Sequence, residues 1–452
     1  MKTSTSTIVA PVTPPGSGGV GIVRVSGPLT ATIAKAVLGK VPKPRYATFC
    51  KFFAEDKSII DEGIALYFSA PNSFTGEDVL ELQGHGGQVI IDCVLQRILS
   101  LGAIMARPGE FSERAFLNGK IDLTQAEAIV DLVNATTALG ARNAMRSLQG
   151  EFSARIHSLV DQLIKLRTQI EAAIDFPEEE LELLVDGKIA EALTKLLTEL
   201  KAIENTAQEG VVLREGITVV IAGKPNAGKS SLLNQLCGRD TAIVTPIPGT
   251  TRDIIRSFIQ LDGLPVHLLD TAGLRDNPDT IESEGIARAW QEIKNADYLL
   301  VIVDGTVEKL RDPKKIISEF ANVMPSHAKI TVVYNKIDLT LEAPQIKKQE
   351  QITSVYLAAK TGLGLDLLKK HLTTSAGICD VSGGFSARRR HLEALRHAYD
   401  AILAATYVLE QNSLELVAEE LTSAQKFLGT ITGEFTNEDL LTRIFSEFCL
   451  GK

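Results

Sequence analysis

At 452 residues, 44% of them hydrophobic and 23% charged, the chain has length for about three domains, since single cores rarely grow past roughly 250–300 residues. A net charge of −9 argues against a broad nucleic-acid-coating surface and leaves room for a local basic patch. No stretch is apolar enough to span a membrane, and Met1-Lys2-Thr3-Ser4-Thr5 lacks the hydrophobic stretch of a signal peptide. Cys50, Cys93, Cys237, Cys379 and Cys449 are odd in number, scattered and free of C-x-x-C pairs, which points to a reduced cytoplasm.

The first 120 residues alternate predicted strands (Thr7–Ala10, Gly21–Val25, Gly63–Phe68, Val79–Gln83) with helices near Ala31–Leu38 and Gln88–Leu101, an α+β pattern. Gly16-Ser17-Gly18-Gly19-Val20-Gly21 matches the dinucleotide fingerprint formally. Its glycines lead into a strand where the fingerprint requires a helix, so the match is rejected in favour of a glycine-rich turn. Thr124 to Gln208 read as long helices, with Ile129, Val133, Leu148, Phe152, Ile156, Leu159, Leu163 and Ile170 at helical spacing. Glu178-Glu179-Glu180 after Pro177 is an exposed acidic helix start.

A predicted strand, Ile217–Ala222, then runs into Gly223-Lys224-Pro225-Asn226-Ala227-Gly228-Lys229-Ser230, and Ser231 to Leu236 continue as a helix. This is the phosphate loop G-x-x-x-x-G-K-[ST] in the strand-then-helix order that it needs. Backbone N–H groups and the helix dipole meet a phosphate chain there, with Lys229 as a point charge and Ser230 as a Mg²⁺ ligand. Thr245-Pro246-Ile247-Pro248-Gly249-Thr250 follows, and Thr251 supplies a hydroxyl for the metal when a γ-phosphate is present. Asp270-Thr271-Ala272-Gly273 ends the strand Val266–Leu269; its Asp can hold the metal through water and Gly273 can offer an N–H to the γ-phosphate. Asn335-Lys336-Ile337-Asp338 follows the strand Ile330–Tyr334. The Asp338 carboxylate accepts from guanine's N1–H and amine, a donor pair that adenine lacks. Ala358-Ala359-Lys360 would give an N–H to the guanine oxygen, with Ala358 standing where Ser is usual. The order and spacing point to GTP.

Leu274 follows Gly273, in the place where Ras-type enzymes carry a water-orienting Gln. Asn226 reads equally as a turn residue or as a ligand for a monovalent cation near the β/γ-phosphate bridge, over which the segment from Thr245 to Thr250 closes. Asp276, Asp279, Glu282 and Glu284 are the carboxylates that stand after Leu274, and residue type alone does not choose a water-orienting group among them. Beyond the nucleotide module (roughly Gly216 to Ser375), Ser386 to Asn412 and Leu414 to Phe427 return to the helical pattern, and a last helix begins near Thr436, with Asp439 completing a capping box. Arg388-Arg389-Arg390 reads equally as a basic patch or as a solvated helix start. The helical flanks predict one helical domain with the nucleotide module inserted.

The whole chain resembles the MnmE (TrmE) tRNA-modification GTPases. The resemblance rests on Gly18-Gly19-Val20-Gly21-Ile22-Val23-Arg24-Val25-Ser26-Gly27, Glu81-Leu82-Gln83-Gly84-His85-Gly86-Gly87, the segment Phe111-Ser112-Glu113-Arg114-Ala115-Phe116-Leu117-Asn118-Gly119-Lys120, and the tail Cys449-Leu450-Gly451-Lys452. It implies an α+β folate-binding and dimerisation domain (1–120), a helical domain in two parts (121–212 and 379–452) and an inserted Ras-like P-loop G domain (213–378). It implies a homodimer that works with the flavoprotein MnmG (GidA), FAD residing on that partner, to modify wobble uridines of tRNA. The one-carbon donor would be 5,10-methylene- or 5-formyltetrahydrofolate, held by Arg24, Glu81, Lys120 and Lys452, with Cys449 facing the modification site. Nucleotide contacts would run from Asn226 through Ser231. K⁺ would be held by Asn226 and main-chain oxygens of Thr245, Ile247 and Thr250, Mg²⁺ by Ser230 and Thr251, and the water-orienting residue would be Glu282. A ribosome-assembly switch without one-carbon chemistry is the alternative; it would not need the N-terminal domain or the tail.

Overall fold

The computed structural model describes residues 6–175, 187–239, 256–270, 293–308, 312–320, 327–350, 352–378, 384–435, 438–446, 448, 449 and 451. The chain divides into two compact units, one made of Met1–Val130, Ser147–Leu200 and Ala394–Lys452, the other of Asp131–Arg146 and Lys201–Glu393.

The first unit contains a sheet of β1 (Ile8–Pro11), β2 (Gly18–Ser26), β3 (Thr48–Phe53), β4 (Ile59–Phe68), β5 (Val79–Gly86) and β6 (Ile104–Met105), in the order β3-β4-β5-β2-β1-β6. All neighbours are antiparallel except β1 and β6. Alternation buries Val23, Val25, Leu80 and Leu82 with residues of the helices Thr30–Leu38 and Gln88–Ser100, such as Ile33 and Ile98. The other residues of β2 and β5 include Arg24 and Glu81, which are register partners. Gly18 opens β2, and the β2/β5 ladder shifts between Gly18 and Gly21, so these glycines lead into a strand as expected. β3 and β6 go beyond the sequence reading, and β4 starts at Ile59, four residues before the expected Gly63.

The helical part of this unit joins sequence from both sides of the nucleotide module. Helix Glu151–Asp175 packs on helix Leu414–Thr432, where the Arg167 Nη1 donates to the Gln425 Oε1 at 2.7 Å. Helix Glu438–Ser446 inserts Leu441, Ile444 and Phe445 beside Leu123 and Ala126, with Phe448 following. Thr436, the expected cap, and Glu178 to Glu180 lie outside the described residues.

In the second unit β7 (Ile217–Gly223), β8 (Arg256–Leu261), β9 (Leu264–Asp270), β10 (Tyr298–Asp304), β11 (Lys329–Asn335), β12 (Gln345–Gln349) and β13 (Ile352–Tyr356) form a sheet in the order β12-β13-β11-β10-β7-β9-β8. The five inner strands are parallel, and β8 and β12 run antiparallel on the edges. Layers on both sides explain why β10 reads as an unbroken apolar run and is buried from Tyr298 to Val303. A parallel sheet of this kind presents its ligand at the carboxyl ends of its strands. Those ends carry the phosphate loop after β7 and the N-K-x-D segment at β11.

Arg388 and Arg389 are engaged in ion pairs rather than forming an open patch. Buried Asp131 accepts from the Arg214 Nε at 2.8 Å, the Arg388 Nη2 at 3.1 Å and the Ser386 hydroxyl at 2.5 Å. The Arg389 Nε donates to the Glu215 carboxylate at 3.0 Å. These contacts join the segments on either side of the nucleotide-binding sheet.

Candidate functional site

The phosphate loop takes the shape that its sequence requires. Asn226 (φ 63°) and Gly228 (φ 97°) are both left-handed, and helix Lys229–Arg239 begins immediately after. A side chain at Gly228 would overlap the Asn335 amide nitrogen, so this position combines a backbone demand with a steric one. The Lys229 ammonium donates to the carbonyls of Gly223 (2.8 Å) and Lys224 (3.1 Å), which holds it over the loop. The Asn226 amide and the Ser230 hydroxyl have no partner among the described residues and both face solvent. Oxygen-bearing side chains left free beside a phosphate loop fit hard cations.

Asn335 ties the guanine corner to that loop. Its Nδ2 donates to the Ala227 carbonyl at 2.9 Å, while its Oδ1 accepts from the N–H groups of Lys336 and Ala359, both at 2.8 Å. One buried amide thus connects three motifs that are far apart in sequence. Lys336 is left-handed (φ 68°) and donates to Asp304 at 2.6 Å. Burial raises the Asp304 carboxyl pKa, but the Lys336 ammonium and the Thr306 hydroxyl and N–H outweigh it and hold the group below its ordinary range. Asp338 opens the short helix Ile337–Thr340, and its carboxylate has no partner among the described residues, which leaves it free to accept from a base. Within Ala358-Ala359-Lys360 the Ala358 N–H goes to the Leu363 carbonyl and the Ala359 N–H to Asn335, leaving the Lys360 N–H without a partner among the described residues. Asp304 belongs to no sequence motif, and the bond from Asn335 to the Ala227 carbonyl of the phosphate loop has no local signature, so only the folded chain reveals their part.

Asp270 closes β9 at the carboxyl edge of the sheet, as expected. Thr245, Pro246, Ile247, Pro248, Gly249, Thr250, Thr251, Thr271, Ala272, Gly273, Leu274 and Glu282 lie outside the described residues, as does Lys452.

In the first unit a second group of predicted residues converges. The Arg24 Nε and Nη2 both meet the Glu81 Oε1, at 2.9 and 2.8 Å, and the Arg24 Nη1 donates to the Gly451 carbonyl at 3.3 Å. Glu81 Oε2 has no partner among the described residues. Gly451 (φ 90°) lies so close to the Pro11 carbonyl that a Cβ would overlap it, and the Gly109 N–H reaches the Cys449 carbonyl at 3.5 Å. Gly451 is therefore held beside Arg24, with Cys449 exposed. Lys120 does not touch Arg24; its ammonium donates to the Pro71 carbonyl at 3.0 Å, in the loop that brings Phe74 against Arg24.

The Ras-like sheet, the phosphate loop at the end of β7 and the guanine corner bound to it by Asn335 define a P-loop GTPase, a GTP hydrolase. Residues 7–120 match the profile of the GTP-binding protein TrmE N-terminus, and residues 123–449 that of the MnmE helical domain. The chain is 56% identical over 453 residues to a "tRNA modification GTPase MnmE" of Shewanella amazonensis, covering 99% of this chain and 100% of that protein. It is 54% identical over 449 residues to a protein of the same name from Actinobacillus succinogenes, covering 99% of each. The G domain of the T. maritima FeoB iron transporter overlaps with 35% of the chain and 98% of its own, at a TM-score of 0.25 and 24% identity, too loosely to add to the fold. The chain belongs to the MnmE family.

Proposed function

We propose that this GTPase is the nucleotide-hydrolysing component of a complex that installs aminomethyl or carboxymethylaminomethyl groups on the wobble uridine of tRNA. It acts in the cytoplasm as a homodimer, with the FAD-bearing flavoprotein MnmG (GidA) as partner and a reduced folate, 5,10-methylene- or 5-formyltetrahydrofolate, as one-carbon donor. The observation that carries this reading is the convergence of Arg24, Glu81 and Gly451 in one place, because a switch for ribosome assembly would have no use for it. Domain boundaries of 1–120, 121–212, 213–378 and 379–452 accompany the proposal.

Within the site each residue has a chemical task. Lys229 and the first-turn N–H groups of its helix hold the phosphate chain, and the Asp338 carboxylate reads guanine while Ile337 and Lys336 form the corner around it. Glu282 orients the attacking water, the task for which Leu274 is unsuited. Ser230 and Thr251 would hold Mg²⁺, and Asn226 with the carbonyls of Thr245, Ile247 and Thr250 would hold K⁺. Pro246 and Pro248 stiffen that segment without removing its carbonyls. When bound, the two cations supply positive charge against the developing negative charge of the phosphates. In the first unit the open Glu81 Oε2 accepts from a pterin's ring N–H and amino donors, Lys120 and Lys452 face the donor's anionic tail, and Cys449 faces the base to be modified.

Hydrolysis rates in K⁺, Rb⁺, Na⁺ and Li⁺ test the nucleotide half of the proposal, with rates equal in K⁺ and Na⁺ refuting the cation site. Glu282→Ala is expected to abolish turnover and leave GTP affinity nearly unchanged; lost affinity would make the residue structural. Calorimetry with 5-formyltetrahydrofolate tests the other half, and absence of binding would sink the one-carbon assignment.

A further inference from the structure

The segment from Phe111 to Lys120 has more polar residues than donor binding by Lys120 alone requires, and they point in one direction. Arg114 is buried, and its Nη1 donates to the Glu77 carboxylate at 3.1 Å and to the Ser6 carbonyl at 2.8 Å. Its Nη2 donates to Glu110 at 2.9 Å and to the Ser6 hydroxyl at 3.0 Å. Glu77 in turn accepts from the Ser26 hydroxyl at 2.7 Å, and Ser26 and Thr75 share a hydrogen bond of 2.7 Å. The Asn118 Nδ2 donates to the Thr75 carbonyl at 2.7 Å, and Lys120 caps Pro71. The bonds to Glu77, Thr75 and Pro71 hold the loop of residues 69–78, and those to Ser6 and Glu110 fix Arg114 itself.

What that loop presents is Phe74. Its ring lies 5.9 Å from the Arg24 guanidinium carbon, while the buried Phe111 ring lies 5.6 Å from the same carbon, so Arg24 stands against both rings. Yet 38% of Phe74 is exposed, on a loop tied down at Pro71, Thr75 and Glu77. Phe74 and Glu81 both meet Arg24, and a partly open aromatic ring together with a carboxylate oxygen that has no partner among the described residues suits a flat heterocycle: the carboxylate reads its edge and the ring covers its face.

We propose that Phe74 is a substrate-contacting residue whose ring stacks on the flat ring system of the one-carbon donor, and that Arg114 is the positioning residue that holds it there through Glu77, Ser26 and Thr75. This rests on the folate reading given above and adds to it a wall of the site and the means of its rigidity. The remaining N–H groups of Arg24 then serve the edge of the bound ring, since three of them already hold Glu81 and the tail.

The test uses the full chain and 5-formyltetrahydrofolate in calorimetry. Phe74→Leu keeps apolar bulk and loses the ring; it should weaken binding about tenfold, as loss of one stacking partner does, with the melting temperature unmoved. Phe74→Tyr should restore affinity to within about threefold. Phe74→Trp should show fluorescence quenching on adding the ligand, a signature that a merely structural side chain would not give. Arg114→Lys, which keeps the charge and loses the fork, should weaken binding at least as much as Phe74→Leu. Equal affinity of wild type and Phe74→Leu, or an unquenched Phe74→Trp that still binds, would overturn the proposal and leave the folate reading intact. Failure of the wild type to bind would overturn both.

Discussion

Replacing Asn335 by Ala would remove three hydrogen bonds at once: Nδ2 to the Ala227 carbonyl, and Oδ1 from the N–H groups of Lys336 and Ala359. Ala227 is 2% exposed and Ala359 0%, so water cannot readily replace the amide at either. Two buried orphans at about 1–3 kcal/mol each give a gross cost of about 2–6 kcal/mol. Some of this is recovered if the empty loops relax toward solvent, and must then be spent again when nucleotide reorders them. The expected loss of GTP affinity is therefore about 2–4 kcal/mol, roughly 30- to 1000-fold. Equilibrium titration of a fluorescent guanine nucleotide measures it directly. Asn335→Asp keeps an acceptor for both N–H groups but sets a carboxylate oxygen against the Ala227 carbonyl, so it should not rescue binding. An Asn335→Ala protein that binds within about threefold of wild type would refute the view that this amide holds the two loops together.

Asp338→Asn should reduce GTP binding and favour xanthosine triphosphate, whose ring offers an acceptor where guanine offers the amine; competition between the two nucleotides reads this out. Asp131→Ala withdraws a buried acceptor from Arg214, Arg388 and Ser386 and should cost about 3 kcal/mol, seen as a lower melting temperature. The Asp61 hydrogen bond to the His85 ring, at 2.7 Å, raises the imidazole pKa. Burial raises the Asp61 carboxyl pKa, but the His85 ring and N–H and the Glu62 N–H overcome that and lower it. The His85 contribution is complete below the free imidazole value of about 6.5 and fades as pH rises through its raised folded value; the Asp61 contribution is complete above about 3.9 and fades as pH falls. The pair is therefore strongest between about pH 4 and 6.5, and Asp61→Asn should return the His85 NMR titration toward its ordinary midpoint. An unchanged midpoint would mean that the pair does not form.

The parts of this chain that act through local pattern were legible in the sequence. Gly223 to Ser230 and Asn335 to Asp338 announce themselves because phosphate and guanine binding impose fixed spacings within one turn or loop. What escaped was set by distant approach. That Asn335 would reach the Ala227 carbonyl, or Arg114 the Glu77 carboxylate, depends on the order of strands and has no local signature. Strand β3, Thr48 to Phe53, went unread because lysine and cysteine interrupt its apolar residues on an edge of the sheet. Arg388 looked like surface charge for the same reason: Asp131, which neutralises it, lies 257 residues away in the chain.

Asp131 gives the chain an unusual topological property. Arg214 precedes the nucleotide-binding strands and Arg388 follows them, yet both end on one carboxylate, and Gly210 lies so close to the Phe385 carbonyl that a Cβ would overlap it. The polypeptide between them is thus a loop whose mouth is already shut. Closing a loop of this length costs conformational entropy that grows only with the logarithm of its size, so the clasp holds a long segment shut at little more cost than a shorter one. The clasp and the nucleotide-binding sheet belong to one compact unit, so the two ends of the nucleotide module are held at a fixed spacing from within that unit.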